Sequence, residues 1–371
     1  MAQTPVPLST VWESTSFRDG QLATEATWSA RLARYRGPEL WRSVWQLASA
    51  VALFAGAWAL MYLSLRVGYW LTLLLAVPAG FFLIRLFIIQ HDCGHAAFFR
   101  SARVADVVGS IIGVLTLTPY HYWKKTHALH HATSGNLEHR GFGDIDTWTV
   151  NEYLGRSRWQ RFKYRLYRHP VVLFGVGAVL HFFVRHRIPT IVPRNWTRER
   201  RSIFWTDMGL LVLIVVMGTL LGFRAFLMVQ LPVTLLSTAM GVWLFYVQHQ
   251  FEPTYWEHDD RWAYDAAALQ GSSYYRLPRV LQWATGNIGL HHIHHLHPRI
   301  PNYRLQQALD EHPELRQVPT LTLWDSFRCV RLTLWDEQNR KLVPFAAARR
   351  AFNLSPTTPP FPRGGTCGTG P

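Results

Sequence analysis

Four long apolar segments constrain what this 371-residue chain can fold into. They cover about residues 44–65, 68–90, 203–222 and 225–248. Each is long enough to cross a hydrocarbon core of about 30 Å, which takes roughly 20 residues of α-helix. Only a few residues separate the first segment from the second and the third from the fourth, so each pair predicts a tight helical hairpin. The sequence therefore predicts an all-α integral membrane protein with four transmembrane helices in two hairpins.

The distribution of basic residues predicts the orientation in the membrane. Of 38 Lys and Arg, five lie in residues 1–43, 17 in residues 91–202 and 13 in residues 250–371. Basic loops stay on the cytoplasmic side. Both termini and the central loop are therefore predicted to be cytoplasmic. The net charge of +15 then reports orientation and not nucleic-acid binding.

These features divide the chain into three predicted parts. Residues 1–43 form a cytoplasmic N-terminal segment, and residues 44–354 form a membrane domain. Within that domain, residues 91–202 and 249–354 form a cytoplasmic helical cap. Residues 355–371 are rich in Pro, Gly and Thr, which predicts a disordered tail.

Two shorter apolar runs, residues 107–119 and 171–184, fall below comfortable spanning length. If both crossed the membrane, the basic residues between them would lie outside the cell. We expect both runs to be re-entrant or interfacial segments.

Histidine clusters are the main chemical signal in the 18 histidines of the chain. The i, i+3 and i+4 spacings place imidazoles on one side of a helix. The second helix of each hairpin ends on the same predicted membrane face, which also carries the two loops. Nine side chains are therefore expected to converge there: His91, His95, His127, His130, His131, His249, His291, His294 and His295.

The ligand set narrows the choice of metal. Imidazole suits iron, zinc and copper. Cys93, Cys329 and Cys367 form no C-x-x-C pair, and the H-E-x-x-H motif of zinc proteases is absent. Nine imidazoles are too many for one zinc and suit a dinuclear redox centre, such as di-iron with dioxygen.

Other polar residues are expected to support these ligands, because metal-bound imidazoles donate their second N–H to an acceptor. The supporting candidates are Asp92, Glu138, Asp144, Asp146, Glu252 and Asn287. Four further histidines are expected to have supporting positions and not to bind metal: His121, His139, His292 and His297.

The pattern H-x-x-x-H, H-x-x-H-H and H-x-x-H-H on a four-helix membrane chain resembles the membrane fatty-acid desaturase superfamily. Residues 130–150, 248–257 and 271–304 are similar to its bacterial delta-12, or omega-6, branch. The resemblance covers about residues 40–320 and implies that the nine histidines are iron ligands in a protein of the bacterial inner membrane. Glu138-His139 departs from the Asp-Arg-like pair expected there, which leaves the lipid preference open.

The resemblance implies an enzyme that uses dioxygen and two external electrons to insert a cis double bond into an acyl chain. The acyl group would be carried by a lipid, coenzyme A or acyl-carrier protein. The sequence has no flavin or nicotinamide signature, no ferredoxin-type Cys spacing and no H-P-G-G motif of b-type cytochromes. A separate ferredoxin or cytochrome is therefore the predicted electron donor.

Three alternatives stay open at this point. The double bond is expected at delta-12, and a delta-9 desaturase is the nearest alternative. A hydroxylase of acyl or alkyl chains would use the same metal chemistry. A histidine-rich metal transporter or sensor is a remote alternative, because it would need ionisable residues within the spans, where we find almost none besides Arg85 and Asp207.

Overall fold

The computed structural model describes residues 27–141 and 143–348, which are mostly helical as predicted. The predicted tail and most of the N-terminal segment lie outside the described residues. The α-helices are α1 Trp28–Leu32, α2 Leu40–Ser64, α3 Tyr69–Gly94, α4 Ala102–Leu115, α5 Tyr120–Thr133, α6 Val150–Gly155, α7 Arg158–Tyr167, α8 Gly177–Phe183, α9 Thr197–Leu221, α10 Phe223–His249, α11 Tyr264–Gln270, α12 Arg279–Ala284, α13 His291–Leu296, α14 Asn302–Glu311 and α15 Leu323–Cys329.

Five short strands, four 3-10 turns and one π-helical segment, Val172–Val176, complete the described elements. The strands are β1 Trp148–Thr149, β2 Tyr274–Arg276, β3 Thr320–Thr322, β4 Leu334–Asp336 and β5 Lys341–Val343. β4 pairs in parallel with β1 and antiparallel with β5, and β2 pairs in parallel with β3. These small ladders connect distant parts of the cap, so the fold stays essentially helical.

Four helices are long and apolar enough to cross a membrane: α2, α3, α9 and α10. They match the four predicted segments, but each begins or ends a few residues away from the expected position. The apolar run marks only the part that would lie in hydrocarbon, whereas the backbone hydrogen bonds of a helix continue through polar residues. α3 therefore continues to Gly94 and carries His91 in unbroken helix.

Close packing of small residues holds the membrane helices together. Ala57 on α2, Ala76 and Ala79 on α3, and Val229 on α10 belong to one buried cluster. Small side chains let helix backbones approach within a membrane, where apolar burial alone gives little driving force. Between α9 and α10, Gly222 turns the chain with φ +87°, a left-handed conformation that glycine adopts without a steric penalty.

Large apolar side chains cover the outer surface of the bundle. Leu74 and Leu220 are 61% and 74% exposed. Exposed tryptophans lie near the helix ends on the side of the cap, among them Trp41 and Trp45 on α2 and Trp205 on α9. Apolar flanks with tryptophans at the ends are typical of membrane helices, whose indole rings prefer the interface with water.

The two shorter apolar runs lie in bent helix pairs. α4 and α5 meet at 101°, and α7 meets the helical segment Val172–Arg187 at 67°. Each pair has the geometry of either a broken span or a re-entrant loop. The re-entrant assignment therefore stays a prediction. The bend after α4 turns α5 against α9, where it presents its histidines beside the end of α3.

Candidate metal centre

Four helical elements bring the nine predicted histidines to one place. His91 and His95 lie at the end of α3, and His249 is the last residue of α10. α5 and α13 supply three histidines each. All the imidazoles face one another, because helix ends and i, i+4 spacing on short helices direct them to a common point. The sequence thus predicted which histidines meet.

Five of them form the first histidine group. Their potential ligand atoms all lie within 4.8 Å of one another. Nε2 of His131 lies 3.1 Å from Nε2 of His127 and 3.0 Å from Nε2 of His294. The members of the first histidine group are His91, His95, His127, His131 and His294.

Four others form the second histidine group, with the same spacing limit of 4.8 Å. Nε2 of His249 lies 2.9 Å from Nε2 of His291 and 3.1 Å from Nε2 of His130. Nε2 of His295 lies 3.1 Å from that of His291. The members of the second histidine group are His130, His249, His291 and His295.

The two groups touch each other. The rings of His131 and His295 stack with centroids 4.1 Å apart. His127 and His131 are one turn apart on α5 and serve the first group, whereas His130 is rotated by about 100° from His131 and serves the second. The H-x-x-H-H spacing therefore divides its imidazoles between two adjacent sites.

This arrangement fits two metal ions. All nine rings are largely buried, with His95 the least so, and adjacent imidazole nitrogens cannot all hydrogen-bond one another. Among the described residues, Nε2 of His91 and of His95 has no hydrogen-bond partner. Burial, reinforced by neighbouring histidines, holds the pKa of His131 and of His294 well below its usual value. Neutral imidazoles with converging lone pairs are metal ligands, and cations between them would satisfy the unpaired nitrogens.

Two predicted carboxylates support these rings. Oδ1 of Asp92 lies 3.0 Å from Nδ1 of His91. Oδ1 of Asp144 lies 2.5 Å from Nδ1 of His130. Each contact leaves the other ring nitrogen, Nε2, directed at its histidine group. A carboxylate on Nδ1 fixes the ring orientation and makes Nε2 a better donor to a metal.

The structure adds supporting contacts that the sequence did not reveal. Asn302 donates two hydrogen bonds to Oδ2 of Asp92, from its backbone N–H at 2.7 Å and from Nδ2 at 2.8 Å. Nδ1 of His249 lies 3.2 Å from the carbonyl oxygen of Gly271. The Trp123 ring stacks on His127 with centroids 4.5 Å apart. Asn302 and Gly271 are far from their partners in sequence, so no local spacing signals them, whereas Trp123 lies one helical turn before His127 on α5.

The other supporting candidates make different contacts. Glu138 is exposed and binds His258 Nδ1 and the backbone N–H of Asp259. Glu252 accepts a hydrogen bond from the backbone N–H of Leu342.

The remaining two candidates, Asp146 and Asn287, do not contact a histidine of either group. Asp146 is exposed, and its carbonyl oxygen accepts a hydrogen bond from Arg168. Asn287 donates to the carbonyl oxygen of Asn302 at 3.0 Å, so it buttresses the residue that holds Asp92.

The four additional histidines lie outside both groups. His139 is exposed and pairs with Asp259 at 3.4 Å. His121 is half-buried and donates its backbone N–H to Ser202. His292 lies within α13 and His297 follows its last residue, and both are buried. Among the described residues, neither ring nitrogen of His292 has a hydrogen-bond partner.

A cavity of about 460 Å³ leads away from the metal centre. His91, His127 and His291 line one end, and Leu83, Ser237 and Gly241 line the other. Gly241 lies eight residues before His249 on α10, or about 12 Å along the helix axis. The segment from Leu173 to His186 provides a third wall. This elongated and largely apolar space suits a flexible hydrocarbon chain.

Comparison with known proteins agrees with this geometry. Residues 68–325 match the model of the family described as "Fatty acid desaturase". The chain is 45% identical over 330 residues to a "Fatty acid desaturase" of Bacillus subtilis (strain 168), covering 89% of this chain and 93% of that one.

More distant relatives carry more specific names. The "sn-1 oleoyl-lipid 12-desaturase" of Synechocystis sp. is 26% identical, and the match covers 60% of this chain and 62% of that relative. The "sn-1 acyl-lipid omega-3 desaturase (ferredoxin)" of the same organism is 25% identical, and the match covers 61% of this chain and 62% of that relative. The match over most of the chain, with the histidines arranged as above, shows that this membrane protein belongs to the fatty acid desaturase family.

Proposed function

We propose that this desaturase holds two non-haem iron ions, one in each histidine group. The observation that carries the proposal is that nine buried imidazoles form two touching groups at the end of an apolar cavity. Neutral nitrogen donors without thiolate suit a redox-active iron pair. The proposed ligands are the nine members of the two groups.

When bound, the iron pair would supply the oxidising chemistry that removes hydrogen from an unactivated methylene group. Each turnover takes two hydrogen atoms from adjacent carbons and reduces one dioxygen to two waters, with two electrons and two protons from outside. The chain's own residues orient the site. Asp92 fixes the ring of His91, and Asp144 fixes the ring of His130.

The cavity is the proposed site of the acyl chain. Its walls between α3 and α10 include the buried residues Leu83, Ile84 and Ile88. These apolar walls would exclude water and hold the chain extended past His91 and His291. A fixed chain presents one pair of carbons to the metal centre, because positioning converts a non-selective oxidation into a selective one.

We retain delta-12 as the proposed position of the double bond. Relatives named as oleoyl-lipid 12-desaturases support it, at 26% and 27% identity. Delta-9 is the alternative position. Mapping the alkene in the product by mass spectrometry decides between them.

The proposed electron donor is a separate ferredoxin or cytochrome. One relative is named as a ferredoxin-dependent desaturase. The basic cap would attract an acidic donor protein, since charge complementarity accelerates association. Reconstitution with each class of donor is the direct test.

We further propose that residues 44–354 form one membrane domain with its cap and both termini in the cytoplasm of a bacterial cell. The basic residues cluster on the cap side. α7 supports a membrane-surface position for this side, because exposed Trp159, Phe162 and Leu166 follow one face among basic residues. Labelling of single cysteines in intact cells tests this orientation.

Expression in a desaturase-deficient host, followed by fatty-acid profiling, tests the function. We expect a new cis-unsaturated fatty acid, and two irons per chain in the purified protein. A hydroxylated product without an alkene would instead identify a hydroxylase. Protein that binds no iron under these conditions would refute the proposed metal centre.

A further inference from the structure

The cavity has an exposed edge. Most of its lining residues are buried or half-buried. Four are exposed: Gly141 and Gly143 lie next to Asp144, and Leu180 and Arg185 lie on the wall that follows α7. The cavity is therefore open at two places, one at Gly141 and Gly143 and a second at Leu180 and Arg185.

This opening lies a short distance from the metal centre. The ring of His186 packs edge-on against Tyr122, with centroids 5.7 Å apart. Tyr122 precedes His127 by five residues on α5, or roughly 7.5 Å along the helix axis. A molecule whose polar end stays at Arg185 can thus place its hydrocarbon part in the cavity beside the histidines.

The basic residues around the opening differ in their contacts. Arg187 forms an ion pair with Asp207 at 2.7 Å and donates to the carbonyl oxygen of Leu117 at 2.7 Å. Nδ1 of His186 lies 3.3 Å from the same carbonyl oxygen. These two side chains secure the turn between α4 and α5, where Leu117 has φ +54°.

Arg185 has no such structural role. Within residues 27–141 and 143–348 its guanidinium forms no ion pair and no side-chain hydrogen bond, although it lines the cavity. A guanidinium binds the oxygens of a phosphate through two parallel N–H donors. A largely apolar cavity with such a group at its edge is complementary to a hydrocarbon chain joined to a phosphate.

We propose that Arg185 binds the phosphate group of the molecule that carries the acyl chain into this cavity. The inference rests on the proposed function, because it takes the cavity to be the acyl site. Two sources share this chemistry: the phosphodiester of a membrane phospholipid, and the phosphates of coenzyme A or of the phosphopantetheine of acyl-carrier protein. In either case Arg185 fixes the polar end and so helps to set which carbons reach the metal centre.

Binding to the purified protein tests the inference without turnover. Three pyrene-labelled probes with the same acyl chain are used: phosphatidylglycerol, acyl-coenzyme A and diacylglycerol, which has no phosphate. Energy transfer from tryptophan reports the apparent Kd in detergent micelles. For Arg185→Gln we expect about a tenfold higher Kd for a phosphate-bearing probe, as for one lost charge-assisted hydrogen bond. The Kd for diacylglycerol is expected to stay unchanged.

Arg194→Gln is the matched control, because Arg194 is exposed nearby and does not line the cavity. Arg185→Lys should recover part of the affinity, since it keeps the charge and loses the paired donors. A weakening confined to phosphatidylglycerol supports the phospholipid as carrier, and one confined to acyl-coenzyme A supports the soluble carriers. Unchanged Kd values for both phosphate probes, or an equal loss for diacylglycerol, would overturn the proposal.

Product formation is measured separately with the iron-loaded protein. If the wild-type protein makes no unsaturated product but the phosphate-dependent Kd changes as expected, the proposed function fails and the phosphate site stands. If product forms and the Kd values do not respond to Arg185→Gln, the phosphate site fails and the proposed function stands.

Discussion

Asp92 receives two hydrogen bonds from Asn302, a residue 210 positions away in the chain. Its other carboxylate oxygen faces Nδ1 of His91. Asn302 also receives a hydrogen bond from Gln46 of α2, at 2.8 Å. A buried polar network thus connects α2, the first histidine group and α14.

Asp92→Asn is expected to weaken iron binding about 10- to 100-fold, as other losses of a ligand's supporting partner do. Asp92 accepts from three donors, and the new amide would place an N–H₂ against one of them. Chelator titration with iron measured by mass spectrometry gives the affinity. Asp310→Asn changes an exposed acid far from the site and should bind iron like the wild type. Equal affinities of Asp92→Asn and the wild type would contradict this role.

His130→Ala is expected to abolish desaturation while the protein remains inserted in the membrane. The substitution removes one of the four imidazoles of the second histidine group. Iron content should fall from two per chain toward one, and the fatty-acid profile should show no new alkene. His139→Ala is the control, because His139 is exposed and its ring pairs with Asp259, away from both histidine groups. Retained turnover by His130→Ala would remove His130 from the site.

The sequence predicts the parts of this molecule whose signals are local. Apolar length predicts the four spans, and i, i+3 and i+4 spacing predicts which histidines share a face. The predicted topology also brings His249 to the other eight histidines, although His249 is a single histidine without a motif. These signals are strong because helices impose a fixed repeat on neighbouring residues.

Contacts between distant segments were harder to predict. Of the six supporting candidates, only Asp92 and Asp144 contact a histidine of either group. Both are close to a histidine cluster in sequence, but so is Glu138, which turns outward to His258. Asn302 and Arg185 carry no pattern at all. Their positions depend on how the cap folds back on the membrane helices, which local spacing does not encode.

Gly241→Leu is expected to shorten the acyl chains that the enzyme accepts. A Cβ atom at Gly241 would lie 3.7 Å from Cδ1 of Ile84, so a longer side chain would occupy the far end of the cavity. Activity on the longest substrates should fall at least tenfold, while shorter chains still react. Gas chromatography of products from a chain-length series measures this preference.

Gly56→Leu provides the matched control for that experiment. Gly56 lies on α2, and nothing would lie within 4 Å of its Cβ. This variant adds the same side chain to a membrane helix and should leave the chain-length preference unchanged. If both variants, or neither, shift the preference, the cavity does not set the chain length.

Arg168→Lys is expected to reduce thermal stability strongly. The buried guanidinium donates to five acceptors from three segments of the chain, one of them at the end of α10. They are the carbonyl oxygens of Asp146 and Leu332, the hydroxyls of Thr147 and Tyr246, and the side-chain oxygen of Gln250. An ammonium has three donors, so at least two of these hydrogen bonds are lost.

The loss should be about 3 kcal/mol, from about 1.5 kcal/mol for each of two lost hydrogen bonds to a charged group. The apparent melting temperature in detergent is the measurement. Arg158→Lys is the control, because Arg158 is exposed at the start of α7, the helix that Arg168 directly follows. Similar melting temperatures for the two variants would show that the buried contacts contribute little.

Glu252 is expected to make the stability of the cap depend on pH. Burial raises the pKa of its carboxyl from an ordinary value of 4.5 to about 7, although the N–H of Leu342 acts in the opposite direction. Between these two values the folded protein holds a proton that the unfolded chain has released. The free energy of unfolding therefore falls as pH rises through this window, and the penalty is complete above pH of about 7.

Glu252→Gln removes that penalty, because glutamine still accepts the hydrogen bond from Leu342 and never ionises. We expect this variant to melt above the wild type at pH 8, with a difference that shrinks toward pH 5. Asp260→Asn makes the same acid-to-amide change at an exposed position and should show a constant offset across this range. Scanning fluorimetry in detergent from pH 5 to 8 measures both variants. A Glu252→Gln difference that is constant, or that widens toward pH 5, would mean that Glu252 is already ionised in the folded cap.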